Sequence, residues 1–176
     1  CIRDRLTAVK RLELLIKAQA ILLQRGTPCN LVLVGDGEKR EELEALVKEK
    51  NLSDRVWIYG RCYDDNINAE LIYNASLCVA PGNVGLTAMH TMVFGTPVIS
   101  HSEFKWQMPE FEAIRPGKTG DFFKHEYVDD LACTIERWLK EHTDRDAVRK
   151  ACFAEIDNGW NPAYQMNVLE KHLIVK

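Results

Sequence analysis

Short apolar runs alternate with longer amphipathic segments along this chain, and that alternation constrains the fold more than any other feature. The runs NLVLVG, RVWIYG, LCVAP, TPVIS and GKTGDFF have the length of β-strands. Continuous apolar runs are typical of strands buried on both faces, as in a parallel sheet that helices cover. We therefore predict an α/β fold with three layers, built on one open, doubly wound parallel sheet.

The segments between these runs are predicted to be helices. They comprise KRLELLIKAQAILLQRG, GEKREELEALVKEK and residues 67–73, 85–94, 127–141, 144–157 and 162–174. In the first helix, one stripe is predicted to face the core: Leu12, Leu15, Ile16, Ala20 and Leu23. With no repeat or linker, residues 1–176 are predicted to form one domain. The opening CIR is interpreted as the end of a strand that further chain precedes.

Charge and composition argue against several function classes. A formal net charge of -3 provides no general attraction to nucleic acid or to anionic lipid. No apolar stretch approaches the roughly 20 residues that span a bilayer. The six cysteines contain no C-x-x-C pair, and the histidines lack ligand spacing, so no metal site is predicted. A reduced, cytoplasmic protein is expected.

Ligands of open parallel sheets bind beyond the carboxyl ends of the strands, so the loops after the strands are the candidate site. The first loop (residues 4–10) carries two cations, Arg5 and Lys10. A guanidinium fork and an ammonium both suit a diphosphate. The alternative is an ordinary pair of solvated surface cations.

The second loop (residues 35–37) has Gly35, which permits close approach of a ligand to the backbone. Asp36 is expected to be the N-cap of the next helix. Arg40 stands where a dinucleotide fingerprint would need its third glycine, so that motif is not matched.

In the third loop (residues 60–65), backbone groups are placed to read the edge of a flat base, with Tyr63 near for stacking. A turn that ends in an Asp cap explains this loop equally well.

The fourth loop (residues 81–87) is the most informative. Glycines at 82 and 85 keep side chains away from the start of the following helix. Backbone N–H groups there are predicted to face an anion, helped by the positive end of the helix dipole: those of Val84, Gly85, Leu86 and Thr87. The Thr87 hydroxyl adds a further donor. A tight strand-to-helix turn is the alternative.

Together, the order of these loops resembles the C-terminal domain of the family 4 retaining glycosyltransferases, which have the GT-B fold of two Rossmann-like domains. The similarity covers residues 4–141. The family's G-R-L…K-x-h opening is resembled by Arg5-Leu6 followed by Lys10-Arg11-Leu12. Further family elements are matched by NLVLVGDGEKREELE, RVWIYG, IYNASLCVAP and FGTPVIS. MPEFEAIRPGKTGDFF is similar to its P-E-x-h…G-x-x-G segment. The resemblance implies that this chain is the donor-binding half and that the N-terminal acceptor domain lies outside the sequence.

The resemblance also implies roles for individual residues. Arg5 and Lys10 would act on the donor diphosphate as the catalytic cations. The implied donor-binding residues are Gly35, Gly60, Arg61, Cys62, Asn83, Val84, Gly85, Leu86, Thr87, His90 and Glu110. The family transfers a sugar from a UDP- or GDP-sugar with retention of configuration, and it requires no metal or cofactor.

The sequence departs from the family at its Glu-x7-Glu motif. In register, the first Glu falls on Gly82 and the second on His90. Gly82 has no side chain for the sugar or its phosphates, whereas a ring nitrogen of His90 can bond a ribose hydroxyl. Either the donor contacts have moved or transfer has decayed. Because Arg5, Lys10 and the glycines remain, a working transferase is favoured.

The expected function is hexosyl transfer to a glycan or lipid-linked acceptor in bacterial cell-surface polysaccharide or glycan synthesis. The resemblance implies a cytoplasmic location, peripheral at the inner face of the membrane in the full-length protein. These residues alone are expected to be inactive, since the cleft needs both halves. The alternatives are half of a GT-B nucleotide-sugar epimerase and a non-catalytic, flavodoxin-like nucleotide-binding or interaction module.

Overall fold

The computed structural model describes residues 2–3, of which only the backbone is considered, and residues 5–173. Cys1, Asp4 and Ile174, which belong to the predicted first strand, first loop and last helix, lie outside the described residues. The strands are β1 (Ile2–Arg3), β2 (Leu31–Val34), β3 (Val56–Gly60), β4 (Cys78–Ala80), β5 (Val98–His101) and β6 (Gly120–Phe123). The helices are α1 (Leu12–Gln24), α2 (Arg40–Glu49), α3 (Asp65–Asn74), α4 (Thr87–Met92), α5 (Val128–Glu141), α6 (Arg145–Gly159) and α7 (Pro162–Leu173). Short 3-10 helices lie at Ala8–Lys10, Phe104–Trp106 and Pro109–Ala113.

Every strand ladder in the described part is parallel, as the apolar runs predict. Among the described residues, the ladders join the strands in the orders β1-β2-β3 and β4-β5-β6. β1 contacts β4, so these two half-sheets lie side by side. The arrangement agrees with the doubly wound α/β fold that the sequence predicts.

A cavity of about 750 Å³ lies between the two half-sheets. Leu31 and Val32 of β2 line it on one side, and Leu77 and Val79, beside and within β4, line it on the other. The two half-sheets are therefore separated at their amino-terminal ends.

Side chains alternate between two cores, which confirms the three-layer architecture. In β4, Val79 packs with α1 and α5 while Cys78 packs with α4 and α6. In β5, Ile99 and Val98 divide in the same way. β4 and β5 are thus buried on both faces, as their unbroken apolar sequences predict.

Two helices differ in detail from prediction. The buried face of α1 includes Leu22, which is 1% exposed, whereas the predicted core residue Leu23 is 40% exposed. The buried stripe is therefore rotated by one residue at the end of the helix. The predicted helix over residues 85–94 is shortened to Thr87–Met92, because Gly85 and Gly95 have left-handed backbones (φ of 47° and 73°).

Candidate functional site at the carboxyl ends of the strands

The first and second loops pack against each other through their backbones. The Leu6 N–H donates to the Asp36 carbonyl at 3.1 Å, and the Lys39 N–H donates to the Leu6 carbonyl at 3.0 Å. A Cβ at Gly37 would lie 2.6 Å from the Leu6 carbonyl oxygen, so this approach requires glycine. Arg5 precedes this contact, and its side chain is exposed at the rim.

Lys10 joins the first loop to the fourth. Its Nζ donates to the Asn83 carbonyl at 3.1 Å, and its own carbonyl accepts from the Gly82 N–H at 3.2 Å. A Cβ at Gly82 would lie 1.9 Å from the Val9 carbonyl oxygen. The structure therefore brings one of the two predicted cations directly to the glycine turn.

The second and third loops also meet. The Gly35 N–H donates to the Gly60 carbonyl at 2.8 Å, and Gly60 has a φ of 88°. The predicted N-cap role of Asp36 is wrong, since α2 begins at Arg40 with Lys39 in the cap position. The Asp36 carboxylate instead forms an ion pair with Arg61, at 3.1 Å between Nε and Oδ2. Arg61 is thus turned towards the second loop.

The rest of the third loop is held by α3. Asp64 caps that helix by accepting from the Asn66 and Ile67 amides at 2.8 and 3.3 Å, which confirms the alternative interpretation as a capped turn. The Cys62 carbonyl accepts from the Asn68 side chain at 3.2 Å. Tyr63 is 85% exposed. Base recognition by this loop stays a prediction.

The fourth loop offers fewer open amides than its sequence predicts. The Val84 N–H donates to the Gln107 side chain at 3.0 Å, and the Thr87 N–H donates to the Val84 carbonyl at 3.2 Å. The prediction that all four amides face a ligand is therefore wrong for these two. Within the described residues, the amides of Gly85 and Leu86 have no hydrogen-bond acceptor.

His90 and Glu110 lie beside this turn on adjacent elements. His90 is exposed on α4, one helical turn after Leu86. Glu110 belongs to the 3-10 helix Pro109–Ala113, which packs against α4. Its Oε2 is buried and has no hydrogen-bond partner among the described residues. A buried carboxylate oxygen without a partner carries a free-energy cost, so Glu110 stays a candidate for ligand contact.

The structure also shows a polar network that the sequence did not predict. The His101 side chain, 1% exposed, accepts from the Glu103 amide through Nδ1 at 3.2 Å. Burial, and then the nearby His125, lowers the pKa of His101 to about 4. Gln107 bonds the backbone at both Val84 and His101. The bond from Val84 to Gln107 spans 23 residues, so no local sequence signal marks it.

No group of three or more His, Cys, Asp or Glu side chains among the described residues is arranged to hold a metal ion. No helix in the same part of the chain combines the length and apolarity that crossing a membrane requires.

Comparison with known proteins identifies the family. The model of the family "Glycosyl transferases group 1" matches residues 2–153. This chain belongs to the group 1 glycosyl transferases. It is 30% identical over 140 residues to the alpha-D-kanosaminyltransferase of Streptomyces kanamyceticus, covering 78% of this chain and 35% of that protein.

Solved structures share the fold of this chain. S. aureus TarM, solved as a G117R mutant in complex with fondaparinux, alpha-GlcNAc-glycerol and UDP, aligns with a TM-score of 0.81 at 18% identity. That alignment covers 97% of this chain but 34% of TarM. The C-terminal domain of the group 1 family protein LpcC from Francisella tularensis aligns with a TM-score of 0.74 at 19% identity, covering 90% and 83% of the two chains. This group 1 glycosyl transferase chain therefore matches the C-terminal, Rossmann-like domain of the GT-B fold and spans about a third of TarM and of the kanosaminyltransferase.

Residue 82 is where the sequence resemblance aligns the first Glu of the Glu-x7-Glu motif. A side chain there would overlap the backbone of the first loop at Val9, so the packing of this loop depends on glycine.

Proposed function

We propose that this chain binds the diphosphate of a nucleotide-sugar donor at the edge formed by its four loops. The observation that carries the proposal is the 3.1 Å bond from Lys10 Nζ to the Asn83 carbonyl, which places an ammonium against the glycine turn. Next to it lie the Gly85 and Leu86 amides, without an acceptor in the described part. One cation and two N–H donors suit a phosphate oxygen.

In the full-length protein, we propose, an N-terminal acceptor domain closes over this edge and the sugar is transferred with retention of configuration. As the bond from sugar to diphosphate breaks, negative charge grows on the leaving diphosphate. The Lys10 ammonium and the turn amides, held in place before reaction, stabilise that charge. Arg5, on the exposed rim of the same loop, adds a second positive charge.

The donor we propose is a UDP-sugar, because TarM was solved with UDP and shares this fold. We assign contact with the ribose to His90, which is exposed one turn after the glycine turn, and contact with the base to the third loop. The acceptor we propose is a glycan or a lipid-linked glycan in cell-surface polysaccharide synthesis, on the cytoplasmic side of the membrane. Family membership favours this function over a flavodoxin-like module.

The test is nucleotide binding by this chain, measured by thermal shift and by isothermal titration with UDP and GDP. At a concentration about 100 times Kd, a ligand stabilises the folded state by about 2.7 kcal/mol, which raises Tm by about 5–10 °C in a domain of this size. Lys10→Ala should weaken UDP binding about 10- to 100-fold, since it removes a charge-assisted contact of about 1.5–3 kcal/mol.

Lys17→Ala is the matched control, because Lys17 is exposed on α1 away from the loops. It should bind UDP as the wild type does. Undiminished affinity in Lys10→Ala would remove that residue from the site. Failure of both nucleotides to bind, beside tight binding of a flavin, would support the flavodoxin-like alternative. Epimerisation of a UDP-sugar by the full-length protein, without transfer, would support the epimerase alternative.

A further inference from the structure

The segment of residues 102–108, which follows β5, is anchored at Phe104 and at Trp106. The Phe104 ring stacks on Phe111, with ring centroids 4.6 Å apart and planes 9° apart. The Trp106 carbonyl accepts a hydrogen bond from the Asn83 side chain at 3.3 Å. This segment is therefore held against the fourth loop rather than extending into solvent.

The Gln107 side chain is the main polar link between this segment and the fourth loop. Its Oε1 accepts from the Val84 N–H at 3.0 Å, while its Nε2 donates to Ser100 Oγ at 2.8 Å and to the His101 carbonyl at 3.1 Å. The orientation of the amide follows from chemistry. The reverse orientation would set its NH2 against the Val84 N–H and its oxygen against the His101 carbonyl.

These bonds tie the fourth loop to the end of β5. Ser100 Oγ, which accepts from Gln107, itself donates to the Ala80 carbonyl at 2.9 Å. Lys10 holds the same loop from the opposite side through the Asn83 carbonyl. Because Gln107 takes the Val84 amide, the open N–H groups of the turn are the next two along the chain.

We propose that Gln107 is a positioning residue for the donor diphosphate. It fixes the Val84 peptide, and thereby the orientation of the Gly85 and Leu86 amides and of the carbonyl that Lys10 contacts. Gln107 does not itself touch the phosphate. Donors that are held in place before the ligand arrives bind it more tightly, because less ordering is needed on binding. The inference rests on the proposed function, since it presupposes a diphosphate at this turn.

The test compares wild type with Gln107→Ala and Gln107→Met, titrated with UDP by calorimetry and with uridine by ligand-observed NMR. Methionine keeps the volume of the side chain but forms none of the three hydrogen bonds, so it serves if the alanine variant fails to fold. UDP affinity should fall about ten-fold in both variants. Uridine affinity should change less than about two-fold, because the base contacts proposed for the third loop do not involve Gln107. Gln24→Ala, at an exposed position on α1, is the matched control and should match wild type for both ligands.

The outcomes separate this inference from the proposed function. If wild type fails to bind UDP, the proposed function is overturned and this inference with it. If wild type binds UDP and the Gln107 variants bind it equally well or more tightly, only the positioning role is overturned. Equal losses for UDP and uridine would show a general structural role and would overturn it as well.

Discussion

At the residue scale, Gly82 shows how one position links packing to the site. A Cβ there would lie 1.9 Å from the Val9 carbonyl oxygen, a separation at which backbone must move. The same glycine donates its N–H to the Lys10 carbonyl. The close packing at Gly82 is thus tied to the contact that brings Lys10 to the turn.

Gly82→Ala should therefore destabilise the chain, because overpacking of this kind costs about 1–3 kcal/mol. We expect Tm to fall by about 3–10 °C and UDP affinity to fall as Lys10 moves away from Asn83. Gly82→Glu should do the same rather than restore the family motif. Gly159→Ala is the matched control, since a Cβ there meets nothing within 4 Å. A Gly82→Ala chain as stable as wild type would contradict the steric account.

His101 makes stability depend on pH. Its pKa is about 4 in the folded state, against about 6.5 when unfolded. Above pH 6.5 His101 is neutral in both states, and its contribution to the free energy of unfolding is fully present. Between pH 6.5 and 4 only the unfolded state takes up a proton, so stability falls as pH falls. Because of His101, the free energy of unfolding should fall by about 2 kcal/mol between pH 7.5 and pH 5, as measured by urea unfolding.

His101→Asn isolates this contribution. The Asn Oδ1 can accept from the Glu103 amide in place of Nδ1 but does not titrate. Carboxylates contribute equally to both proteins, so the difference between their pH dependences reports His101 alone. The same loss in both proteins would show that His101 does not cause it.

The residues of the site were predictable where backbone geometry dictates residue type, and not elsewhere. Glycines at 35, 60 and 85 follow strands and have positive φ, and that pattern is visible in sequence. The place of Lys10 in the site was predicted from its positive charge and its position in the first loop. Gln107 was not, because its contacts lie 7 and 23 residues away in a segment without periodicity. For the same reason, the sequence predicts a ligand contact for the Val84 amide, although that amide donates to Gln107, 23 residues away.

At the scale of elements, the strands follow the apolar runs closely. The five runs that predict strands correspond to β2, β3, β4, β5 and β6, because a strand covered by helices on both faces needs an unbroken apolar sequence. The bounds of the helices were less predictable. Helix α4 is cut to Thr87–Met92, since Gly85 and Gly95 have left-handed backbones on either side of it.

At the scale of the whole molecule, the chain presents one edge at which all six strands end. The loops at that edge are joined in pairs: first with second, first with fourth, and second with third. This places the proposed contacts for base, ribose and diphosphate on a single surface. Nothing in the described part covers that surface on its far side, and the exposed side chains of Val9, Leu86 and Trp106 border the glycine turn.

These 176 residues alone should therefore bind UDP without turning over a UDP-sugar. Transfer requires a cleft that excludes water and holds the acceptor, whereas here the proposed diphosphate site is open on one side. The measurement is release of UDP from UDP-glucose and UDP-N-acetylglucosamine, with and without a simple glycoside acceptor, beside binding of UDP. Lys10→Ala gives the background rate. Release that exceeds background and disappears in Lys10→Ala would mean that this domain suffices for chemistry, and the requirement for a second domain would be wrong.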